Sequence, residues 1–175
     1  MIQDRVMSAI RDVADFPKPG IMFKDITPIM LDPKLSTDIV DHLAALYKDQ
    51  GIDKIAGIES RGFLFGYPVA MKLGIPFVLI RKAGKLPYHK LSYAYDLEYG
   101  SATIEIHVDA VKTGERVLIH DDLLATGGSA AAAAELIKKC GGEIAGFNFL
   151  VELGFLNGAE KLKNYTDNIT NLVGY

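Results

Sequence analysis

Apolar positions along the chain switch between two periods, and the switches mark the elements. Val6, Ile10 and Val13 recur at helical spacing, so residues 3–14 are predicted to form a short amphipathic helix. Pro17-Lys18-Pro19-Gly20 ends it, because proline removes a backbone donor and fixes φ. Ile39, Val40, Leu43, Leu46 and Tyr47 line one face of a second helix over residues 36–49, with Gly51 just past its end. Ile55–Ile58 is an apolar run of strand length, followed by the turn Glu59-Ser60-Arg61-Gly62 and a helix to about Leu73. Gly74-Ile75-Pro76 leads into a strand over Phe77–Ile80. Residues 82–97 are polar, basic and rich in tyrosine, with no clear period. They read as a long mobile loop, and such loops in compact domains usually carry function. Ala102–His107 alternates like a strand, Val117–Ile119 is a further apolar strand, and Ser129–Lys139 is a helix. Ile144–Val151 is another strand and Ala159–Lys163 a short helix.

Strands that alternate with helices favour a mainly parallel sheet covered on both faces, an α/β fold. No repeat, low-complexity tract or linker interrupts the pattern. A length of 175 residues fits one domain with a sizeable core. The five alanines Ala130–Ala134 suit a close-packed helix face. A net charge of −3 gives no general field for nucleic acid. The single cysteine, Cys140, allows neither an internal disulfide nor a multi-cysteine zinc site. The first residues carry charges every few positions, so a leader or membrane span is not expected and the cytoplasm is the expected compartment. The four histidines show no ligand spacing, so no protein-held metal site is expected.

The most informative segment is Val117–Ala130, reading VLIHDDLLATGGSA. An apolar strand runs into two adjacent acids, Asp121 and Asp122. A small-residue turn (Ala125, Thr126, Gly127, Gly128, Ser129) then opens a helix. Strand ends face the ligand crevice of open α/β sheets. The turn offers N–H groups and hydroxyls at a helix N-terminus, which suits a phosphate. The acids would repel that phosphate, but they suit hydroxyl groups beside it. A ribose with a 5-phosphate carries all these parts. Glu59-Ser60-Arg61-Gly62 reads equally well as a plain capping turn or as an anion site, where Arg61 offers forked donors. Arg81, Lys82 and Lys85 taken alone read as a solvated charge run. Ile21–Asp25 is an extended apolar segment in which Phe23 would stack on a flat ring, the Met22 backbone would read its edge, and Lys24 would sit near a ring nitrogen or a phosphate.

VLIHDDLLATGGSA resembles the phosphoribosyl-pyrophosphate (PRPP) motif of type I phosphoribosyltransferases, and its DDLLATGG variant is similar to the adenine-specific branch of that family. Four further segments agree in order and spacing: PGIMFKDITP (19–28), ESRGFLFG (59–66), RKAGKLP (81–87) with YDLEYG (95–100), and VEL (151–153). His120 stands at a usually apolar position of the motif and is expected to be structural. The resemblance implies a single phosphoribosyltransferase domain over residues 1–175, with a small hood from about residues 1–33 and a flexible catalytic loop. It implies transfer of phosphoribose from PRPP to adenine, giving AMP and pyrophosphate in purine salvage. Asp121, Asp122 and Ala125–Ser129 would hold ribose and 5-phosphate. Ser60, Arg61, Arg81, Lys82 and Lys85 would hold pyrophosphate, with a strained peptide in the 59–62 turn. Glu98 and Arg61 would be catalytic, Glu98 managing the purine proton. Met22, Phe23, Lys24 and Leu153 would enclose adenine. Magnesium is expected through PRPP oxygens and water, with a homodimer and with neither nucleic acid nor membrane as partner. The alternatives are transfer to another purine base, or a PRPP-sensing regulator that binds nucleic acid.

Overall fold

The apolar runs pair in parallel and make the middle of a seven-stranded sheet. The computed structural model describes residues 1–97 and 100–175. The chain runs α1 (Ile2–Ala9), β1 (Arg11–Ala14), β2 (Met22–Asp25), α2 (Thr27–Met30), α3 (Pro33–Tyr47), β3 (Lys54–Ile58), α4 (Gly62–Leu73) and β4 (Phe77–Lys82). It continues with β5 (Lys90–Asp96), β6 (Ser101–His107), β7 (Arg116–Leu124), α5 (Gly128–Lys139), β8 (Glu143–Glu152), α6 (Gly158–Leu162) and β9 (Ile169–Gly174). The sheet order is β5-β6-β4-β3-β7-β8-β9. Neighbours from β4 to β9 pair in parallel, while β6 is antiparallel to both β4 and β5. This is the α/β fold with a central, mainly parallel sheet flanked by helices.

Alternation along β7 divides the core. Val117 and Ile119 pack with α5, whereas Leu118 packs with α3 and α4 on the other face. Ala130, Ala132, Ala133 and Ala134 are all buried, so the alanine run brings α5 close to the sheet. Asp32 caps α3 by accepting the Leu35 N–H at 2.9 Å, and Pro33 opens the first turn, where its missing donor costs nothing. Gly74 closes α4 in the left-handed region at φ 70°.

Four local expectations need correction. The helix expected over 3–14 stops at Ala9, and Val13 lies instead in β1, paired with Phe23 of β2. Three apolar residues at helical spacing could not report that distant partner. The second half of the loop expected over 82–97 is largely strand β5, whose Leu91, Tyr93 and Tyr95 pack on the core. The expected strand Val117–Ile119 runs on to Leu124, because its ladder with β8 continues through Leu124 and Glu152. The acidic pair is therefore in the strand and not beyond it. The edge strand β9 was not expected at all.

Candidate active site

The carboxyl ends of β3 and β7 lie side by side, since these strands pair in parallel from Lys54 with Val117 to Gly57 with His120. The turn after β3 and the acids of β7 are thus brought together. Glu59, Ser60, Arg61, Lys82, Asp121 and Asp122 line one cavity of about 150 Å³. Arg61 occupies the N-cap position of α4 without a side-chain cap bond, and its Nε donates to Asp122 Oδ2 at 2.5 Å. The Glu59–Ser60 peptide is cis. Gly62 lets α4 approach β7 closely: a Cβ there would lie 2.8 Å from the His120 carbonyl oxygen and 3.1 Å from Asp121 Oδ1.

The two acids differ. Asp122 is buried and held by Arg61. Asp121 accepts the Asp122 N–H at 2.9 Å, yet burial, and then repulsion from Asp122, raise its carboxyl well above the ordinary range. Two carboxyl groups in that state favour ligands that bring hydroxyl donors or positive charge.

The small-residue turn lies beyond them. Leu123–Ala130, with Tyr95, Asp96, Leu97 and Phe149, line a second cavity of about 160 Å³. Gly127 is the N-cap of α5 at φ 76° with no side-chain cap, so the first-turn N–H groups lack intrahelical acceptors. The N-terminus of α6 packs directly under this turn. A Cβ on Gly127 would lie 2.7 Å from the Gly158 carbonyl oxygen.

The basic turn is only partly in the site. Lys82 lines the first cavity. Arg81 donates through Nε and Nη2 to Glu59, each at 3.2 Å, and through Nη1 to the Lys85 carbonyl oxygen at 3.2 Å. Glu59 also accepts the Lys82 N–H at 2.9 Å, and its bonds with Arg81 hold its pKa below the ordinary range. The Lys85 side chain is exposed and lines neither cavity. Glu98 and Tyr99 lie outside the described residues.

The β1–β2 hairpin stands by the same turn. The Phe23 ring centre lies 5.9 Å from Arg61 Cζ, and Phe16 meets Phe23 edge-on at 5.1 Å. Met22 is exposed. Lys24 is already engaged: its Nζ donates to Asp12 at 2.6 Å and sits 3.8 Å from the centre of the Tyr175 ring. Leu153 N–H donates to the Leu124 carbonyl oxygen at 2.9 Å, which ties it to the strand entering the small-residue turn.

His120 lines neither cavity. It is 2 % exposed, and its Nδ1 pairs with Asn148 Oδ1 at 2.8 Å, while its Nε2 has no partner. Burial depresses its pKa to about 4, so the imidazole is neutral. Asn148 Nδ2 donates to Thr170 at 3.1 Å, and Tyr47 shares that hydroxyl. Burial also raises the Cys140 thiol.

Sequence reasoning missed Glu59, Tyr95, Gly158 and Tyr175. Glu59 and Tyr95 each adjoin a motif, but their partners are fixed only by the fold. A surface groove of about 760 Å³ between α3 and α4 is mostly apolar, and its charged residues Asp41 and Lys72 pair with each other. The convergent polar groups are in the two smaller cavities. Among the described residues no cluster of three or more metal-ligating side chains occurs.

Comparison with known proteins agrees with this geometry. The family model for the phosphoribosyl transferase domain matches residues 30–172. An adenine phosphoribosyltransferase of Cytophaga hutchinsonii is 51% identical over 175 residues, covering 100% of this chain and 97% of that protein. One from Alkaliphilus metalliredigens is 55% identical over 159 residues, covering 91% of this chain and 94% of its own. The crystal structure of adenine phosphoribosyltransferase from Thermoanaerobacter pseudethanolicus superposes with a TM-score of 0.94 at 48% identity, covering 99% of both chains. That of Saccharomyces cerevisiae, complexed with an imino-altritol bisphosphate and adenine, superposes with a TM-score of 0.91 at 41% identity, covering 98% of both.

Proposed function

This chain belongs to the phosphoribosyl transferase family, and we propose that it is an adenine phosphoribosyltransferase of purine salvage, converting adenine and PRPP to AMP and pyrophosphate. The observation that carries the reading is the junction of β3 and β7. There the Ser60–Arg61 turn, the acid pair and the phosphate turn adjoin, with the Phe23 ring alongside.

Ala125–Ser129 hold the 5-phosphate through first-turn N–H groups and hydroxyls. Asp121 and Asp122 take the ribose hydroxyls, whose donors relieve the repulsion between the two carboxyls. Ser60, Arg61 and Lys82 hold pyrophosphate, with Arg81 and Lys85 at the edge of that site. Phe23, Met22 and Leu153 enclose adenine, and Lys24 holds the hood through Asp12 and Tyr175. An adenine ring nitrogen attacks the anomeric carbon as the bond to pyrophosphate breaks, with inversion. The purine proton passes to Glu98. Positive charge develops on the ribose and negative charge on the leaving group, so positioning and charge placement do most of the catalysis.

Magnesium fits this donor set. The site offers two adjacent carboxyls, one of them already held by Arg61, and magnesium typically takes one or two carboxylates, substrate phosphates and waters. When bound it offsets the charge of the pyrophosphate group. The enzyme works as a homodimer. The exposed Leu64, Tyr67 and Met71 of α4, with Leu79 of β4, give it an apolar face to share. We place the reaction in the cytoplasm, in keeping with a charged sugar phosphate that does not cross membranes.

Product formation from PRPP and magnesium, with adenine, guanine, hypoxanthine and xanthine offered separately, tests the reading. Turnover of adenine alone is expected. Turnover of another base in its place would overturn the adenine assignment of Phe23 and its neighbours. No turnover with any base would overturn the enzyme reading.

A further inference from the structure

Strands β4 and β5 both pair with β6, so the segment 83–89 that joins them crosses the end of β6. Glu105 and His107 lie two apart on β6, on the face opposite to the core residues Ile104 and Ile106. Glu105 is only 5 % exposed, yet it is charged. Its Oε2 accepts the Gly84 N–H at 3.0 Å and pairs with Lys90 Nζ at 2.9 Å, while Oε1 accepts from Ser92 Oγ at 3.3 Å. Lys90, together with the Gly84 N–H, outweighs burial and holds the carboxylate below its ordinary pKa. His107 Nε2 donates to the Pro87 carbonyl oxygen at 2.6 Å. The crossing segment is thus fastened near its start, its middle and its end by two side chains of one strand.

A buried carboxylate is costly unless paired and hydrogen-bonded; of Glu105's three partners, Gly84 lies on the basic turn, while Lys90 and Ser92 belong to β5, where the crossing segment ends. A core-filling role would have been served by an apolar residue, as at Ile104 and Ile106. The same turn begins with Lys82, which lines the cavity of Arg61, Asp121 and Asp122. Arg81, just before it in β4, is Glu105's neighbour across the β4–β6 register. We propose that Glu105 and His107 are positioning residues for pyrophosphate: they clasp the 83–90 segment from β6 and so fix Lys82 in the site. This rests on the reading that the cavity holds the pyrophosphate group of PRPP.

The test uses the full chain with the variants Glu105→Ala, Glu105→Gln, His107→Gln and Lys82→Ala. Michaelis constants for PRPP and adenine, calorimetric binding of magnesium pyrophosphate, and melting temperature are measured for each. Glu105→Ala is expected to raise KM for PRPP and weaken pyrophosphate binding by about tenfold, the loss of one charge-assisted hydrogen bond. KM for adenine should stay near its original value. Glu105→Gln should recover part of the loss, since one amide oxygen can still accept the Gly84 N–H. His107→Gln should give a smaller shift of the same kind. If Glu105→Ala fails to fold, the two glutamine variants decide. A lowered melting temperature with unchanged PRPP and pyrophosphate constants would overturn the proposal, as would equal shifts for both substrates. If the unaltered protein binds no PRPP, the functional reading falls. If Lys82→Ala loses pyrophosphate while the Glu105 and His107 variants do not, only the clasp falls.

Discussion

Gly158 offers a sharp test of the phosphate site, because it lies outside every motif and touches no substrate in the proposed mechanism. A Cβ there would be 3.0 Å from Gly127 N and 3.0 Å from Leu124 Cδ1, and closer still to the Ala125 carbonyl oxygen. Ordinary contact begins at 3.4 Å. Its φ is not positive, so alanine meets no backbone penalty and the whole effect is one of space. Ala125 and Gly127 belong to the turn that would hold the 5-phosphate, and two of the three contacts are backbone atoms that cannot rotate away. In Gly158→Ala the turn must therefore move by something on the order of 1 Å, a misplacement that can cost roughly 100-fold in rate. Overpacking should also cost about 1–3 kcal/mol of stability. The assay is steady-state AMP formation with PRPP and adenine varied in turn, beside a thermal melt. Gly74→Ala serves as the control. It forces alanine into the left-handed region, a cost of about 1–2 kcal/mol, but nothing lies within 4 Å of its Cβ. Both variants should melt earlier, and only Gly158→Ala should raise KM for PRPP. A folded Gly158→Ala enzyme with unchanged PRPP kinetics would refute the claim that this turn grips the phosphate.

Asp122→Asn keeps the side-chain shape and one acceptor for Arg61. It also removes the charge that helps raise the Asp121 carboxyl. It should cut kcat/KM by about 100-fold or more while leaving the melting temperature within a few degrees; unaltered kinetics would remove the acid from the mechanism. His120 gives a pH prediction. A base whose pKa falls from 6.5 unfolded to about 4 folded binds fewer protons when folded, so its contribution is complete above pH 6.5 and drains as the pH falls toward 4. The loss should reach roughly 3 kcal/mol. Asp121, with its raised folded pKa, works in the opposite direction, so the measure is the difference between the unaltered protein and His120→Val in urea melts across that window. Equal slopes would count against a buried neutral imidazole. Lys24→Ala removes both the Asp12 pair and the contact with Tyr175. It should raise KM for adenine several-fold, a loss of about 1 kcal/mol, and a shift confined to PRPP would argue against Lys24 as the pin of the hood.

The parts of this molecule that a sequence reader can see are those whose physics is local. Gly74 closes α4 because a left-handed residue closes helices anywhere, and VLIHDDLLATGGSA shows a strand, two acids and a small-residue turn because one continuous stretch carries all three. What escaped notice depends on a partner far along the chain. Val13 fits a helix with Val6 and Ile10 as well as it fits a strand, and only pairing with Phe23 selects the strand. Leu91, Tyr93 and Tyr95 do alternate with period two, but the basic residues before them mask the stripe until β6 supplies the other half of the ladder. The site divides in the same way. Arg61, Asp121, Asp122 and Ala125–Ser129 are legible because each motif brings its own chemistry to a strand end. Glu59, Glu105 and Gly158 are not, because each acts on a motif from outside it: by a salt bridge to Arg81, by a hydrogen bond to Gly84, and by leaving space beneath Ala125. A motif therefore names the groups proposed to meet a ligand, and the fold names those that would hold them still. Substitutions in the second set should change how well the first set is placed while leaving its chemistry intact, and this is why Gly158 and Glu105 test the reading of the site more severely than a further substitution inside the motif.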